Sequence, residues 1–185
     1  MGADRVGLAA AALFALAGCQ TQEAAPSAVQ ASTQEPVQQS VSAAQCMAGE
    51  GTIFACTMPS GDALSVCSNS RRAHYRYGKK AVSIELSGAS WASVAYSGGG
   101  EAQIIFSKGD DDFIVFSRMV RTNFEPGEPN YPAISDGLII LRAGNFYALE
   151  ECQGGQAEKP IDFGLAESTL SRRDVLFTDE TGRAD

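Results

Sequence analysis

Residues 101–120 read EAQIIFSKGDDDFIVFSRMV, and this stretch decides the fold class. Its apolar side chains recur with a period of two, which is typical of β-strands. Between the two halves, Gly109 and three aspartates form a turn signal. The stretch therefore predicts two antiparallel strands, 101–108 and 113–120, in the middle of a sheet.

The same period continues on both sides of this hairpin, where short turns rich in Gly, Ser, Asn and Asp separate the segments. Residues 138–141 are apolar at every position, so we expect both faces of that strand to be covered. About eight or nine short strands predict an all-β fold, an antiparallel sandwich or small barrel, with residues 163–171 as a short C-terminal helix or coil. The further predicted strands are 52–58, 63–68, 73–77, 82–86, 91–96 and 146–152.

The N-terminus carries an export signal. Arg5 precedes an apolar run over residues 6–15, and Leu16-Ala17-Gly18-Cys19 follows this run. This junction resembles the lipobox of bacterial lipoproteins, in which the cysteine receives a diacylglycerol and the signal is cut before it. The resemblance implies a signal peptide over 1–18, and Gln20 in place of Asp implies the outer membrane, periplasmic face. A retained membrane helix is the weaker alternative, because about ten apolar residues are too few to span a bilayer.

Residues 19–45 are dominated by Gln, Ala, Ser, Thr and Pro and contain no aromatic side chain. Such a segment cannot bury enough apolar surface to offset the entropy of ordering its backbone. The sequence therefore predicts a disordered tether over 19–45, a β domain over 46–155 and a polar C-terminal tail over 156–185.

Five cysteines are present, and four of them, Cys46, Cys56, Cys67 and Cys152, follow Cys19. An even number in an exported domain predicts two disulfides, with three connectivities open. The net charge of −8 argues against nucleic acid, whose recognition needs a basic surface, and it suits a cationic protein partner.

No motif supplies a catalytic device or a cofactor site. His74 is the only histidine, and the sequence has no Cys-x-x-Cys pair, so we expect no catalytic residue, metal or cofactor. Paired loop carboxylates, Glu125 with Glu128 or Asp136, keep an envelope glycan hydrolase open as an alternative. The basic run 71–80 is either a solvated face of the sheet or a patch for anions.

Recognition is expected on two loops, because a rigid β scaffold carries binding residues on its connections. The first is 97–101, and the second is the proline-containing stretch 121–136, which the sequence predicts to be irregular. Aromatic rings in the second loop can anchor a protein partner, or they can fold inward to pin the loop. The candidate binding residues are Ser97, Gly98, Glu101, Phe124, Glu125, Glu128 and Tyr131.

Several short runs between residues 46 and 152 resemble small exported bacterial lipoproteins of a disulfide-bonded β-domain family that carries no assigned activity. These runs are Phe54-Ala55-Cys56, Ser60-Gly61, Val66-Cys67, Tyr75-Arg76-Tyr77-Gly78, Ile84-Glu85-Leu86 and Ser97-Gly98-Gly99-Gly100-Glu101.

A looser resemblance is to membrane-bound C-type lysozyme inhibitors, which are disulfide-containing β-barrel lipoproteins. It is carried by Phe54, Cys56, Ser97, Gly98, Phe106, Lys108 and Gly109. This resemblance implies a partner such as lysozyme. In that class a tyrosine three residues after the serine enters the lysozyme cleft, and this chain has Gly100 there.

These observations predict an outer-membrane-anchored periplasmic lipoprotein with a non-catalytic, β-rich binding module. The alternatives are the glycan hydrolase and a purely structural component of the envelope.

Overall fold

The structure is a computed structural model that describes residues 44–70, 72–79, 84–129 and 131–174, with Tyr96 described in its backbone only. The predicted signal peptide, Cys19, and the predicted tether up to residue 43 lie outside the described residues. So do Arg71 and Lys80 at the ends of the basic run. Among the helices of the described part, none is long and apolar enough to cross a membrane.

The first sheet contains four antiparallel strands in the order in which they occur along the chain. Pro59-Ser60-Gly61-Asp62 separates the predicted strands 52–58 and 63–68, and it forms the turn between the first two strands, where Gly61 takes a left-handed φ of 79°. The strands are β1 (Gly51–Thr57), β2 (Ala63–Asn69), β3 (Arg72–Gly78) and β4 (Ile84–Ser87).

The second sheet has the order β10-β5-β6-β7-β8-β9, and only β10 runs parallel to its neighbour. The central hairpin lies where the opening stretch predicts it, with Ile104 opposite Val115. The strands are β5 (Ala89–Tyr96), β6 (Gly99–Lys108), β7 (Asp111–Val120), β8 (Ala133–Arg142), β9 (Asn145–Glu151) and β10 (Ser171–Arg172).

The core lies between the two sheets, which confirms the predicted all-β sandwich, while the alternative of a closed barrel is not found among the described strands. Tyr75 of β3 is buried against Phe106 and Phe113 of the second sheet, with ring centroids 5.7 and 5.9 Å apart. A fully buried aromatic side chain stabilises a fold by roughly 1.5–3 kcal/mol. This contact therefore joins the two layers strongly.

A second apolar cluster covers the opposite face of the second sheet, where Ile105, Ile114, Phe116 and Ile139 are all buried. Strand β8 contributes to both clusters, since Leu138 belongs to the core and Ile139 to the second cluster. The prediction that residues 138–141 are covered on both faces is confirmed.

Two disulfides form, as predicted, and the structure selects one of the three connectivities. Cys46 bonds to Cys67 of β2, with Cα atoms 5.3 Å apart, and Cys56 of β1 bonds to Cys152 just after β9, with Cα atoms 5.8 Å apart. The second bridge joins the two sheets covalently.

The segment after Gly155, predicted to belong to a polar tail, packs onto the domain as far as Arg173, whose amide donates a hydrogen bond to the carbonyl of Trp91. Ile161 and Ala166 lie in the core between the sheets, and the backbone of Lys159 pairs with Ala55 of β1. The predicted helix is present as α1 (Phe163–Thr169), and Asp162 caps it by accepting a 3.0 Å hydrogen bond from the amide of Leu165.

One face of β3 differs from its prediction. Ala73 and Tyr75 lie in the core, but the opposite face, for which the sequence leaves open a solvated surface, is not uniformly exposed. Arg76 on that face is 4% exposed, and its Nη1 lies 2.5 Å from Oε2 of Glu50. The basic run 71–80 is therefore partly neutralised rather than an open cationic surface.

Candidate functional site

The two loops predicted to carry recognition adjoin at one end of the second sheet. Ser97 and Gly98 form the tight turn between β5 and β6, while residues 121–132 connect β7 to β8. A Cβ added to Gly98 would come within 2.8 Å of the Cβ of Arg121, so the turn lies directly against the start of the long loop. This loop is shorter than predicted, because β8 begins at Ala133 and includes Asp136.

Side chains hold the long loop in a defined conformation. The hydroxyl of Thr122 donates to the carbonyl of Tyr131 at 2.5 Å, which closes the base of the loop. Asn123 donates from Nδ2 to Glu128 at 2.5 Å and accepts at Oδ1 from the amide of Glu125 at 2.8 Å. These hydrogen bonds join the two ends of the loop and link three residues within it.

The two aromatic rings of this loop point outward. Phe124 is 74% exposed and Tyr131 is 76% exposed, and Glu125 and Glu128 beside them are also exposed. The guanidinium carbon of Arg121 lies 5.4 Å from the centroid of Phe124, which orients that ring without burying it. The alternative that the rings fold inward to pin the loop is not what the structure shows.

A cavity of about 450 Å³ lies beside these loops, on the face of the second sheet that also carries the core. Strand register aligns Ser93, Ala102, Ser117 and Asp136 as one row of its floor. Because three of these four side chains are small, the sheet surface is recessed there. This recess is the floor of the cavity.

A second row of the floor is apolar and partly open to solvent. Register aligns Ala95, Gly100, Met119 and Ile134, of which Met119 is 42% and Ile134 45% exposed. Phe163, at the start of α1, forms a wall and packs edge-on against Trp91 with ring centroids 6.3 Å apart. Glu101 and Arg118 also line the cavity, but strand alternation directs their side chains to the opposite face of the sheet, away from Ala102 and Ser117.

Asp136 is the charged side chain on this floor, and it is 1% exposed. Its Oδ2 accepts a hydrogen bond of 3.0 Å from the amide of Ala157, while its Oδ1 is buried and has no hydrogen-bond partner. The neighbouring Ser117 accepts a 3.0 Å hydrogen bond from the amide of Ile161. The row therefore binds the returning C-terminal segment and leaves one carboxylate oxygen unsatisfied.

Glu101, predicted to begin the strand 101–108 and to bind a partner from the end of the loop 97–101, lies within β6 and is only 2% exposed, so it is not an accessible binding residue. Its side chain projects from the opposite face of the sheet to Ala102, since alternate residues of a strand point to opposite sides. Its Oε1 accepts a 2.6 Å hydrogen bond from Nε2 of Gln103, and its Oε2 is buried without a hydrogen-bond partner. Burial raises the pKa of Glu101 to about 7, against the opposing effects of Gln103 and Arg118.

One other group of residues has the composition of a metal site. Cys46, Glu50 and Cys67 bring their potential ligand atoms within 4.8 Å of one another. The two sulfurs are joined in a disulfide and so offer no thiolate, and the carboxylate of Glu50 is paired with Arg76. This cluster is structural.

Sequence reasoning missed the cavity. The sequence predicts a strand only from residue 138 and an irregular loop over 121–136, whereas β8 begins at Ala133 and includes Ile134 and Asp136. The sequence does contain a sign of the longer strand. Asp136 alternates with Ile134, Leu138 and Ile140, so all four side chains lie on the inward face of one strand. An acid at an inward position of a strand points to a special environment.

No family model, curated protein or solved structure matches the chain.

Proposed function

We propose that this protein is an outer-membrane lipoprotein, anchored through Cys19 on the periplasmic face, whose β domain binds a cationic protein and catalyses no reaction. The observation that carries the binding role is the outward presentation of Phe124 and Tyr131 by a hydrogen-bonded loop. The anchor rests on the resemblance of Leu16-Ala17-Gly18-Cys19 to a lipobox.

Two aromatic side chains supply most of the proposed binding free energy. A few buried aromatic side chains usually dominate the affinity of a protein interface, and each can contribute 2 kcal/mol or more. Phe124 and Tyr131 are available for this role because they are 74% and 76% exposed in the free protein. The hydrogen bonds of Thr122 and Asn123 lower the entropy lost on binding, since the loop is already ordered.

Charge supports the choice of a cationic partner. Glu125 and Glu128 flank the rings, and the whole chain has a net charge of −8. Exposed acids around an aromatic centre accelerate the approach of a positively charged partner more than they raise its final affinity. Lysozyme is the test partner, because the chain resembles the C-type inhibitors. In those inhibitors a tyrosine enters the lysozyme cleft at the position that Gly100 occupies here, and the rings of the long loop would replace its contact.

The hydrolase alternative needs two carboxylates that face one cavity at a defined separation. Asp136 borders the cavity, but strand alternation places the side chain of Glu101 on the opposite face of the sheet. Glu125 and Glu128 lie on the exposed loop outside the cavity lining. This arrangement favours binding over hydrolysis.

The proposal is tested by titrating the full chain with lysozyme by isothermal calorimetry at low and at physiological salt. We expect a dissociation constant in the micromolar range or below at low salt, weakened by added salt because exposed charges are screened. An acidic protein of similar size is the matched control and should not bind. No binding and no inhibition of lysozyme at micromolar concentrations would exclude this partner.

A further inference from the structure

We propose that the cavity beside Asp136 is a binding site for an alkylammonium group, that is, a protonated primary amine on an apolar stem. This inference concerns the cavity and does not rest on the protein partner proposed for the loop.

The cavity has the size and lining of a ligand site. Its volume of about 450 Å³ lies within the roughly 300–1,000 Å³ usual for small-molecule pockets. Met119, Ile134 and Phe163 line it and are 42%, 45% and 53% exposed, so its apolar walls are accessible from solvent. An aliphatic stem would bury this surface and gain from its removal from water.

The polar end of the ligand is defined by Asp136. A buried carboxylate oxygen without a partner is costly, and a charged group bears more of that cost than a neutral one. Oδ2 is already held by the amide of Ala157, so Oδ1 is the atom that lacks a donor. Among the described residues, no ion pair to Asp136 is formed by a lysine or arginine.

The chemistry of the donor follows from these facts. A carboxylate oxygen accepts a hydrogen bond from any donor, but the bond is shorter and stronger when the donor is also positively charged, and an ammonium group brings both properties. A carboxylate ligand would be repelled. A neutral alcohol could donate a hydrogen bond but would leave the charge of Asp136 uncompensated.

An alkylammonium group has two natural sources, a free amphiphilic amine and the side chain of a lysine on a protein. Both share a flexible apolar stem with a terminal ammonium, so both match the apolar walls and Asp136. The experiment therefore includes one probe for each source.

The test titrates the full chain separately with n-hexylamine, 1-hexanol and hexanoate, which share one stem, and with an acetylated, amidated lysine. Binding is measured by calorimetry and located by NMR shifts of Ala102 and Ser117. We expect n-hexylamine to bind at least tenfold more tightly than 1-hexanol, with no binding of hexanoate. Binding of the capped lysine as well assigns the site to protein side chains, whereas binding of n-hexylamine alone assigns it to free amines.

Two variants and a control separate the contribution of the carboxylate from that of the apolar walls. Asp136→Asn keeps an oxygen for the amide of Ala157 and should abolish the preference for the amine over the alcohol. Ala95→Phe should fill the cavity and abolish binding of both, and it keeps the test decisive if Asp136→Asn does not fold. Asp110→Asn makes the same charge change in an exposed turn and should alter neither affinity.

Equal affinities of the wild-type chain for the amine and the alcohol would overturn the proposal. Failure of n-hexylamine to bind at millimolar concentration would also overturn it.

Discussion

Gly98 lies against Arg121, so closely that a Cβ on the glycine would stand 2.8 Å from the Cβ of the arginine. Gly98 also has a left-handed φ of 85°, which a side chain would strain. This contact turns two loops that are more than twenty residues apart in sequence into one continuous surface. The rings of Phe124 and Tyr131 belong to that surface, and the cavity beside Asp136 opens next to it.

Replacing Tyr131 or Phe124 by alanine should reduce binding without loss of stability. We expect each substitution to weaken affinity for a cationic protein partner by about 2 kcal/mol, or roughly thirtyfold, because an anchoring ring is removed. The free energy of unfolding should change by less than about 0.5 kcal/mol, since both rings are largely exposed. Calorimetric titration and urea denaturation measure the two effects.

Phe146→Ala is the matched control for these variants, because Phe146 is 45% exposed but lies in β9, away from the loop. It should leave affinity unchanged. If Tyr131→Ala and Phe124→Ala lower only the melting temperature, the two rings stabilise the loop and do not bind a partner.

Glu101 should make the fold less stable as pH rises. Its pKa is raised from the usual 4.5 to about 7 in the folded state, so between these values the folded protein holds a proton that the unfolded chain has lost. Stability attributable to this group is full below pH 4.5 and is lost as pH rises through 7. We therefore expect the unfolding free energy to fall by about 3 kcal/mol across this window.

Glu101→Gln should remove this component, because an amide keeps the hydrogen bond from Gln103 and cannot ionise. The variant should be more stable than the wild type at pH 8 and similar to it at pH 4. Urea denaturation at a series of pH values measures the slope. Glu167→Gln on the exposed side of α1 is the control, and an unchanged slope in Glu101→Gln would show that another group titrates.

The contributions of Arg76 and Glu50 to the free energy of unfolding should be strongly coupled. Their side chains are 5% and 6% exposed, and removal of Arg76 leaves the carboxylate of Glu50 without its cationic partner. Removal of Glu50 still leaves Arg76 its 3.5 Å ion pair with Glu85. We expect Arg76→Ala to lower the free energy of unfolding by about 3 kcal/mol, whereas Arg72→Ala, at an exposed position of the same strand, should have little effect. A double-mutant cycle with Glu50→Ala measures the coupling, and additive single effects would contradict it.

The two disulfides should differ in their contribution to stability. Cys56–Cys152 closes a separation of 96 residues and Cys46–Cys67 one of 21. Loop-closure entropy gives about 5 kcal/mol for the first and about 3 kcal/mol for the second. Thermal denaturation of the paired serine variants measures both, and a larger loss without Cys46–Cys67 would reverse the expected order.

Cys19 should carry lipid. We expect the wild-type chain to incorporate a metabolic fatty-acid probe and to fractionate with membranes, and Cys19→Ser to lose the label and keep its signal peptide. Cys46→Ser provides a control that removes a cysteine outside the predicted signal. An unlabelled wild-type chain would remove the basis for the anchor.

Much of the fold can be predicted from apolar side chains that recur at every second residue. The central hairpin around Gly109, the strands on both sides of it and the helix beginning at Phe163 are local patterns, so the sequence predicts them without tertiary information. The pairing of the cysteines is not local. It depends on how β1 and the end of β9 meet in space, and this is why three connectivities remained open.

The site was predicted only in part, for the same reason. Phe124 and Tyr131 could be proposed from composition, but their exposure depends on hydrogen bonds within the loop. The three glycines before Glu101 are typical of a turn, so the sequence predicts that the strand begins only at Glu101, whereas Gly99 and Gly100 already pair with β5. The inward position of Asp136 becomes visible only when β8 is extended back to Ala133.

The positions of the disulfides also decide how the domain carries mechanical load. A pull on the chain that precedes Cys46 passes through a covalent bond to β2, and β1 itself is bonded to the end of β9. Force is thus delivered to both sheets through sulfur–sulfur bonds instead of peeling β1 from its edge one hydrogen bond at a time. A domain pulled at its N-terminus would therefore stay folded under tension that would unzip a reduced one.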